Sequence, residues 1–200
     1  MTKIIDVTVK RVVECSREVA WWNYWDHEHL DVVHKGYKSS DILYEKKNVI
    51  FREDYIQLPI FSFIKVKTPV FMVQENENKL YVYAIQFGIT SKTTIKINEI
   101  NEEKCEIEMN YKFLLKGIQK ILGPILKKMI YKWNYQVWIE DLPLKIRRQK
   151  IVKLNFKDFK GLPDDIEERS YNGKIKFSLP IPRLKNSKRD QNPLNNRFDL

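Results

Sequence analysis

The clearest pattern in the chain is the strict alternation of Lys104–Leu115. Cys105, Ile107, Met109, Tyr111 and Phe113 fall on one side, and Lys104, Glu106, Glu108, Asn110 and Lys112 on the other. A period of two with one apolar side predicts an antiparallel strand with one buried face. Comparable extended runs precede it. Lys3–Cys15 is rich in β-branched residues, and Tyr37–Glu45 and Asn48–Leu58 read as a hairpin turning near Lys46-Lys47. Phe61–Gln74 is interrupted by Pro69, which suits an edge or a bend. Lys79–Phe87 and Thr90–Ile100 follow, with Tyr81, Tyr83 and Phe87 read as sheet packing.

Two stretches carry a helical period instead. Ser16 offers an N-cap to a helix that is expected to run to about His34, where Gly36 ends it. Gly117 breaks the last strand and Pro124 fits the first turn of a second helix. Pro143 disfavours helix at the residue before it, so this helix is expected over about 124–141. The order strand, helix, further antiparallel strands, long helix predicts an α+β fold. In it a curved antiparallel sheet wraps the C-terminal helix and encloses a cavity suited to a small apolar ligand.

Charge divides the chain. Residues 1–144 hold 21 Lys and Arg against 19 Asp and Glu, whereas residues 145–200 hold 15 against 7. The reading is one domain over 1–145 followed by a basic extension over 146–200. That extension has a short helical candidate at Pro163–Arg169, an Asn172-Gly173 turn, a strand-like Lys174–Leu179 and a polar end beyond Lys185 expected to be loosely ordered. Its basic residues do not interleave with aromatics, so a nucleic-acid interface is not expected. Met1-Thr2-Lys3 leads straight into a strand pattern, no apolar run is long enough to span a bilayer, and Cys15 and Cys105 lack CxxC spacing. A reduced, cytoplasmic setting is the expectation.

Candidate chemistry is concentrated at one place: all three histidines, His27, His29 and His34, lie within eight residues. On a regular helix of ~100° per residue, Val19, Trp22, Asp26, Leu30 and Val33 form the inward stripe. His29 and His34 flank it, and His27 and Asp31 pair in solvent. A straight helix would splay His29 and His34 by ~140°, so their convergence on one ion requires the helix to bend or end between them. Two readings stay open: a metal half-site, or an Asp26–His29 hydrogen bond closing one end of a pocket with His34 at the helix C-terminus. The second helix offers a carboxylate to either. Its apolar stripe of Ile125, Met129, Trp133, Val137 and Leu144 passes through Glu140, with Asp141 about a quarter-turn away, so orientation favours Glu140. Trp21-Trp22-Asn23-Tyr24-Trp25 covers all sides of its helix, and some of these rings are expected to meet the tail or a partner. Ile118–Ile130, with Lys120, Lys127 and Lys128, fits an amphipathic membrane-surface helix or a core helix with a lysine-bearing outer face equally well.

The element order resembles the helix-grip fold of the START-like (SRPBCC) superfamily over about residues 1–145. The spacing Asp26-x2-His29-x4-His34 resembles the D-x2-H-x4-H motif of the catalytic domain of Rieske-type ring-hydroxylating oxygenases. That resemblance implies ferrous iron, Fe(2+), held by His29, His34 and a late carboxylate, Glu140 or Asp141, with Asp26 coupling to an electron donor. The chain has no paired Cys/His ligands for a Rieske cluster, and Trp22 stands where the family favours Asn or Glu. The resemblance therefore implies a stand-alone oxygenase acting on a hydrophobic small molecule, with electrons from a separate protein to which the basic tail could dock. The alternative is a non-enzymatic START-like carrier or cyclase-like domain binding a lipid, isoprenoid or polyketide, with Asp26 and His29 as polar anchors.

Overall fold

The computed structural model describes residues 2–46, 48–57, 64–154 and 169–170. Seven long strands make one antiparallel sheet: β1 (Thr2–Val13), β2 (Tyr37–Lys46), β3 (Val49–Gln57), β4 (Lys65–Asn76), β5 (Lys79–Gln86), β6 (Ile89–Asn101) and β7 (Lys104–Lys116). Their order is β1-β7-β6-β5-β4-β3-β2, so every chain neighbour forms a hairpin except β1, which lies beside β7. Between β1 and β2 the chain forms α1 (Arg17–Trp25), a 3-10 turn (His27–His29) and α2 (Leu30–Val33). After β7 a second 3-10 turn (Gly117–Leu122) leads into the long α3 (Gly123–Lys153). The Arg169–Ser170 backbone adds a short β8 to β2. Arg169 is thus in a strand, not the helix expected at its position. The rest of that candidate, the Asn172-Gly173 turn, Lys174–Leu179 and the polar end lie outside the described residues.

Local chemistry explains most boundaries. Ser16 caps α1 by accepting the Val19 N–H at 3.2 Å, a contact of about 1 kcal/mol. Pro69 pairs with Glu53 of β3, while pairing of β4 to β5 starts only at Val70, so its missing N–H falls where the ladder toward β5 has already ended. The alternation of β7 holds along its length, but its inward face meets two environments. Cys105 and Ile107 join a solid core with Trp21, Trp25, Ile50, Met72, Leu80 and Ile97. Met109, Tyr111 and Phe113, further along, line a cavity under α3.

Three expectations are corrected. The helix from Ser16 does not run straight to His34: it ends at Trp25, and Asp26 takes an extended conformation (φ −76°, ψ 96°). Pro143 does not end α3, which continues to Lys153 and past the expected boundary at 145. A proline inside a helix costs about 3 kcal/mol. Here the turns after it are tied down: Lys145 to Asp141, Arg148 to Asn23 and Asp26, and Gln149 to the Ser16 N–H at 2.8 Å. Those anchors lie against α1, where Trp21, Trp22 and Trp25 are all buried. Finally, Ile125 is exposed and the most deeply buried line of α3 is Ile130, Asn134, Asp141, Lys145 and Arg148, rotated from the expected apolar stripe.

Candidate functional site

The break after Trp25 decides the site. The 3-10 turn and the single turn of α2 change the chain's direction, and His34 leaves α2 extended (φ −99°, ψ 116°). The ~140° splay of a straight helix disappears, and the His29 and His34 rings stand 5.4 Å apart. Gly36 helps to seat this segment by close approach: a Cβ there would stand 2.5 Å from the Trp133 ring.

Both imidazoles face one carboxylate oxygen. Asp141 Oδ1 is 3.4 Å from His29 Nε2 and 3.0 Å from His34 Nε2, and all three residues are buried or nearly so. One ligand atom from each of His29, His34 and Asp141 lies within 4.8 Å of the others. Yet neither ring N–H is aligned on Asp141 Oδ1 for a hydrogen bond. Asp141 Oδ2 accepts from the fully buried Lys145 Nζ at 2.9 Å. Glu140, favoured by helix orientation, reaches the other face of His34 instead: its Oε2 is 3.0 Å from Nδ1, and its Oε1 accepts from Gln136 at 2.7 Å. Asp26 stands 3.9 Å from His29 Nδ1, outside hydrogen-bond reach, because Arg148 takes its Oδ2 at 2.5 Å and stacks its guanidinium on Trp22. Of the five residues singled out by sequence, His29, His34 and Asp141 converge, Glu140 supports His34, and Asp26 belongs to the clamp between α1 and α3.

The electrostatics follow from this packing. Burial opposes the charge on Asp141, but the Lys145 ammonium and the two imidazoles outweigh it and hold the carboxyl well below its usual range. Burial likewise opposes protonation of His34, and Asp141 and Glu140 together raise its pKa above the ordinary imidazole value.

The cluster forms one polar end of a cavity of about 280 Å³ between the sheet and α3. Val70, Met72, Val82, Ile95, Met129 and Trp133 supply much of its apolar wall. A second polar group lies on the β-sheet side. Arg52 Nε contacts Asp54 at 3.0 Å, Ser40 donates to Asp54 at 2.7 Å, and His27 Nδ1 meets the Arg52 guanidinium. His27 is therefore buried and bonded to β3, not paired with Asp31 in solvent. The sequence reading missed Arg52 and Asp54, although a signal existed: Ile50, Arg52, Asp54 and Ile56 share one strand face, and two charges on an apolar face call for buried partners. Lys145 and Arg148 lie beyond the helix end that Pro143 predicts, on the part of α3 that continues to Lys153.

No family model matches the sequence, and no curated protein matches it. Solved structures do. The Zhui aromatase/cyclase from Streptomyces sp. R1128 superposes with a TM-score of 0.59 at 8% identity, over 74% of this chain and 94% of that one. A norcoclaurine synthase from Thalictrum flavum gives 0.59 at 15% identity, over 74% and 98%. A START superfamily protein from Mycobacterium smegmatis gives 0.56 at 12% identity, over 73% and 98%. At such identities what is shared is architecture: this chain has the START-like helix-grip fold. None of these three is named as an oxygenase, so the oxygenase reading gains no support from them. No helix among the described residues is long and apolar enough to cross a membrane.

Proposed function

We propose that this protein binds an apolar small molecule in the cavity between the sheet and α3, as a carrier or cyclase-like helix-grip protein. The supporting observation is the cavity itself: about 280 Å³ of mostly apolar wall with one polar cluster at His29, His34 and Asp141 and another at Arg52 and Asp54. Such a wall favours a hydrophobic body, and the few convergent polar groups fix its orientation. Two solved structures of this fold are named for reactions on small molecules, a cyclase and a synthase. The lipid, isoprenoid or polyketide class fits this wall. Titration with a fluorescent apolar probe such as anilinonaphthalene sulfonate tests it. Binding should saturate near one equivalent and be lost in Ala84→Trp, which fills the cavity; binding untouched by that variant would refute the reading.

A second reading is supported by the misaligned contacts at Asp141 Oδ1. Two imidazole nitrogens and a carboxylate oxygen that surround a point without hydrogen-bonding one another are a donor set suited to ferrous iron. His29, His34 and Asp141 would hold the ion, and Glu140 would orient His34 through Nδ1. The ion would supply oxygen activation next to the apolar ligand. This reading also requires a separate electron donor, and of the basic tail assigned to dock it only 146–154, at the end of α3, and Arg169–Ser170 are described. Anaerobic loading with ferrous iron followed by metal analysis tests the site. About one equivalent should bind to the wild type and none to His29→Ala, His34→Ala or Asp141→Ala, while His27→Ala should keep its metal. Failure of the wild type to bind would leave the carrier reading alone.

A further inference from the structure

At the end of the cavity marked by Gln86, Phe113 and Leu126, the surface is apolar where a soluble protein would ordinarily be polar. Ile118 and Ile121 in the 3-10 turn are 82% and 74% exposed, and Ile125 in the first turns of α3 is 53% exposed. Phe87, at the tip of the β5–β6 hairpin, is 61% exposed. These residues are neighbours, since Gln119 Nε2 donates to the Phe87 carbonyl at 3.4 Å. The stretch Ile118–Ile130, which read equally well as core helix or surface helix, thus presents Ile118, Ile121 and Ile125 outward and buries Ile130.

Two further observations indicate what covers this surface. Phe87 sits at φ 50° beside Gly88 at φ 71° in a two-residue turn, a conformation suited to Asn-Gly. A bulky residue held there is strained, and its ring is turned to solvent. The segment that carries the isoleucines bears charge of one sign. From Met109 to Ile139 the sequence has six lysines and no acidic residue. Lys112 meets Asp6 at 3.4 Å, whereas Lys116, Lys127 and Lys128 are exposed beside the isoleucines. Lys3 adds to this edge, its Nζ lying 3.5 Å from where a Cβ on Gly123 would stand.

We propose that this patch docks on an anionic phospholipid bilayer. Phe87, Ile118, Ile121 and Ile125 enter the interfacial layer, and the surrounding lysines meet the headgroups. Apolar insertion combined with basic flanks is the pairing that gives stable interfacial binding without a spanning helix. The inference is independent of which ligand or metal the cavity takes.

Co-sedimentation of the full chain with phosphatidylcholine vesicles, with and without phosphatidylserine, tests the proposal. Binding should require phosphatidylserine and weaken as salt rises. Lys127→Ala and Lys128→Ala should each lower the partition coefficient roughly fivefold. Phe87→Asn with Ile118→Ser should abolish binding while leaving the thermal midpoint unchanged or higher, because Asn tolerates the positive φ. Three results would overturn the proposal: no binding to phosphatidylserine vesicles, binding that survives both sets of variants and so belongs to the basic tail, or a dimer in sedimentation velocity that Ile118→Ser converts to monomer. In the last case a second copy of this chain covers the patch.

Discussion

Replacing Asp141 by Asn should destabilise the chelator-treated protein far more than replacing its partner Lys145 by Met. The asymmetry follows from what each change leaves behind. In Asp141→Asn the completely buried ammonium of Lys145 loses its counter-charge and keeps a neutral amide oxygen and the ring faces of Tyr24 and Trp138, 4.9 and 5.5 Å from Nζ. Removing one partner of a buried ion pair costs about 3–5 kcal/mol, and the aromatic contacts, already made in the wild type, do not offset it. In Lys145→Met the carboxylate still faces two imidazoles able to take a proton, and the thioether fills the space of the alkyl stem. The loss is then one charge-assisted hydrogen bond, about 1.5–3 kcal/mol, reduced by the improved burial. For a domain of this size, 1 kcal/mol moves the midpoint by about 2–4 °C, so Asp141→Asn should lower it by roughly 10 °C and Lys145→Met by about half that. The double variant should recover much of the Asp141→Asn loss. Differential scanning calorimetry on the three variants provides the comparison. Equal losses in the single variants, or additive losses in the double, would show that Lys145 draws its stability from elsewhere. The acid limb gives a second check. A carboxyl held below its usual range stabilises the fold above its unfolded pKa of 3.8 and loses that contribution as pH falls through the folded value. Wild-type stability should therefore drop more steeply on acidification than that of Asp141→Asn.

Three further outcomes follow from the same packing. Gly36→Ala must displace the Trp133 ring, which a Cβ would meet at 2.5 Å, and should cost about 1–3 kcal/mol by urea unfolding; a neutral result would mean that Trp133 swings freely into the cavity. His34, with its pKa raised, stabilises fully below its unfolded value of 6.5, and this contribution disappears as pH rises through the folded value. Between pH 6 and 8 the chelator-treated protein should thus lose stability, and Glu140→Gln should flatten that slope. Asp54→Ala leaves Arg52 buried without its carboxylate and should lower the midpoint several degrees, whereas an equal exchange at the exposed Asp31 should not register.

How much of this was legible in the sequence depends on whether local pattern or distant contact decides each element. The strands were legible because one face of each is buried and the period of two survives in Lys104–Leu115 and Val49–Gln57 alike. The convergence of His29 and His34 was legible only as a condition, since nothing local to Asp26 announces an extended residue within a helical pattern. Orientation along the apolar stripe favours Glu140, whereas the buried face of α3 carries Asp141. Where the helix crosses the cavity its apolar residues line that space, and the deepest line of α3 is polar, through Asn134, Asp141 and, beyond the cavity, Lys145 and Arg148. Pro143 misled for a related reason: its local cost is offset by ties to Asn23, Asp26 and Ser16 more than a hundred residues earlier.

Pro143 also divides α3 into halves held by different forces. Before it, Leu126, Met129, Trp133 and Val137 face a cavity, so their backbone is backed by few packed atoms on that side. After it, Arg148 is fastened to Asn23 of α1 and Gln149 to the Ser16 N–H at its cap, while Lys145 is tied back across the proline to Asp141. A helix fastened at one end over a hollow at the other does not open as a unit. Amides of Ile125–Val137 should exchange with deuterium through small local openings, while those of Lys145–Gln149 should exchange only on global unfolding. The free energy needed to expose the hollow is then set by the half of α3 before the proline, apart from the stability of the fold as a whole.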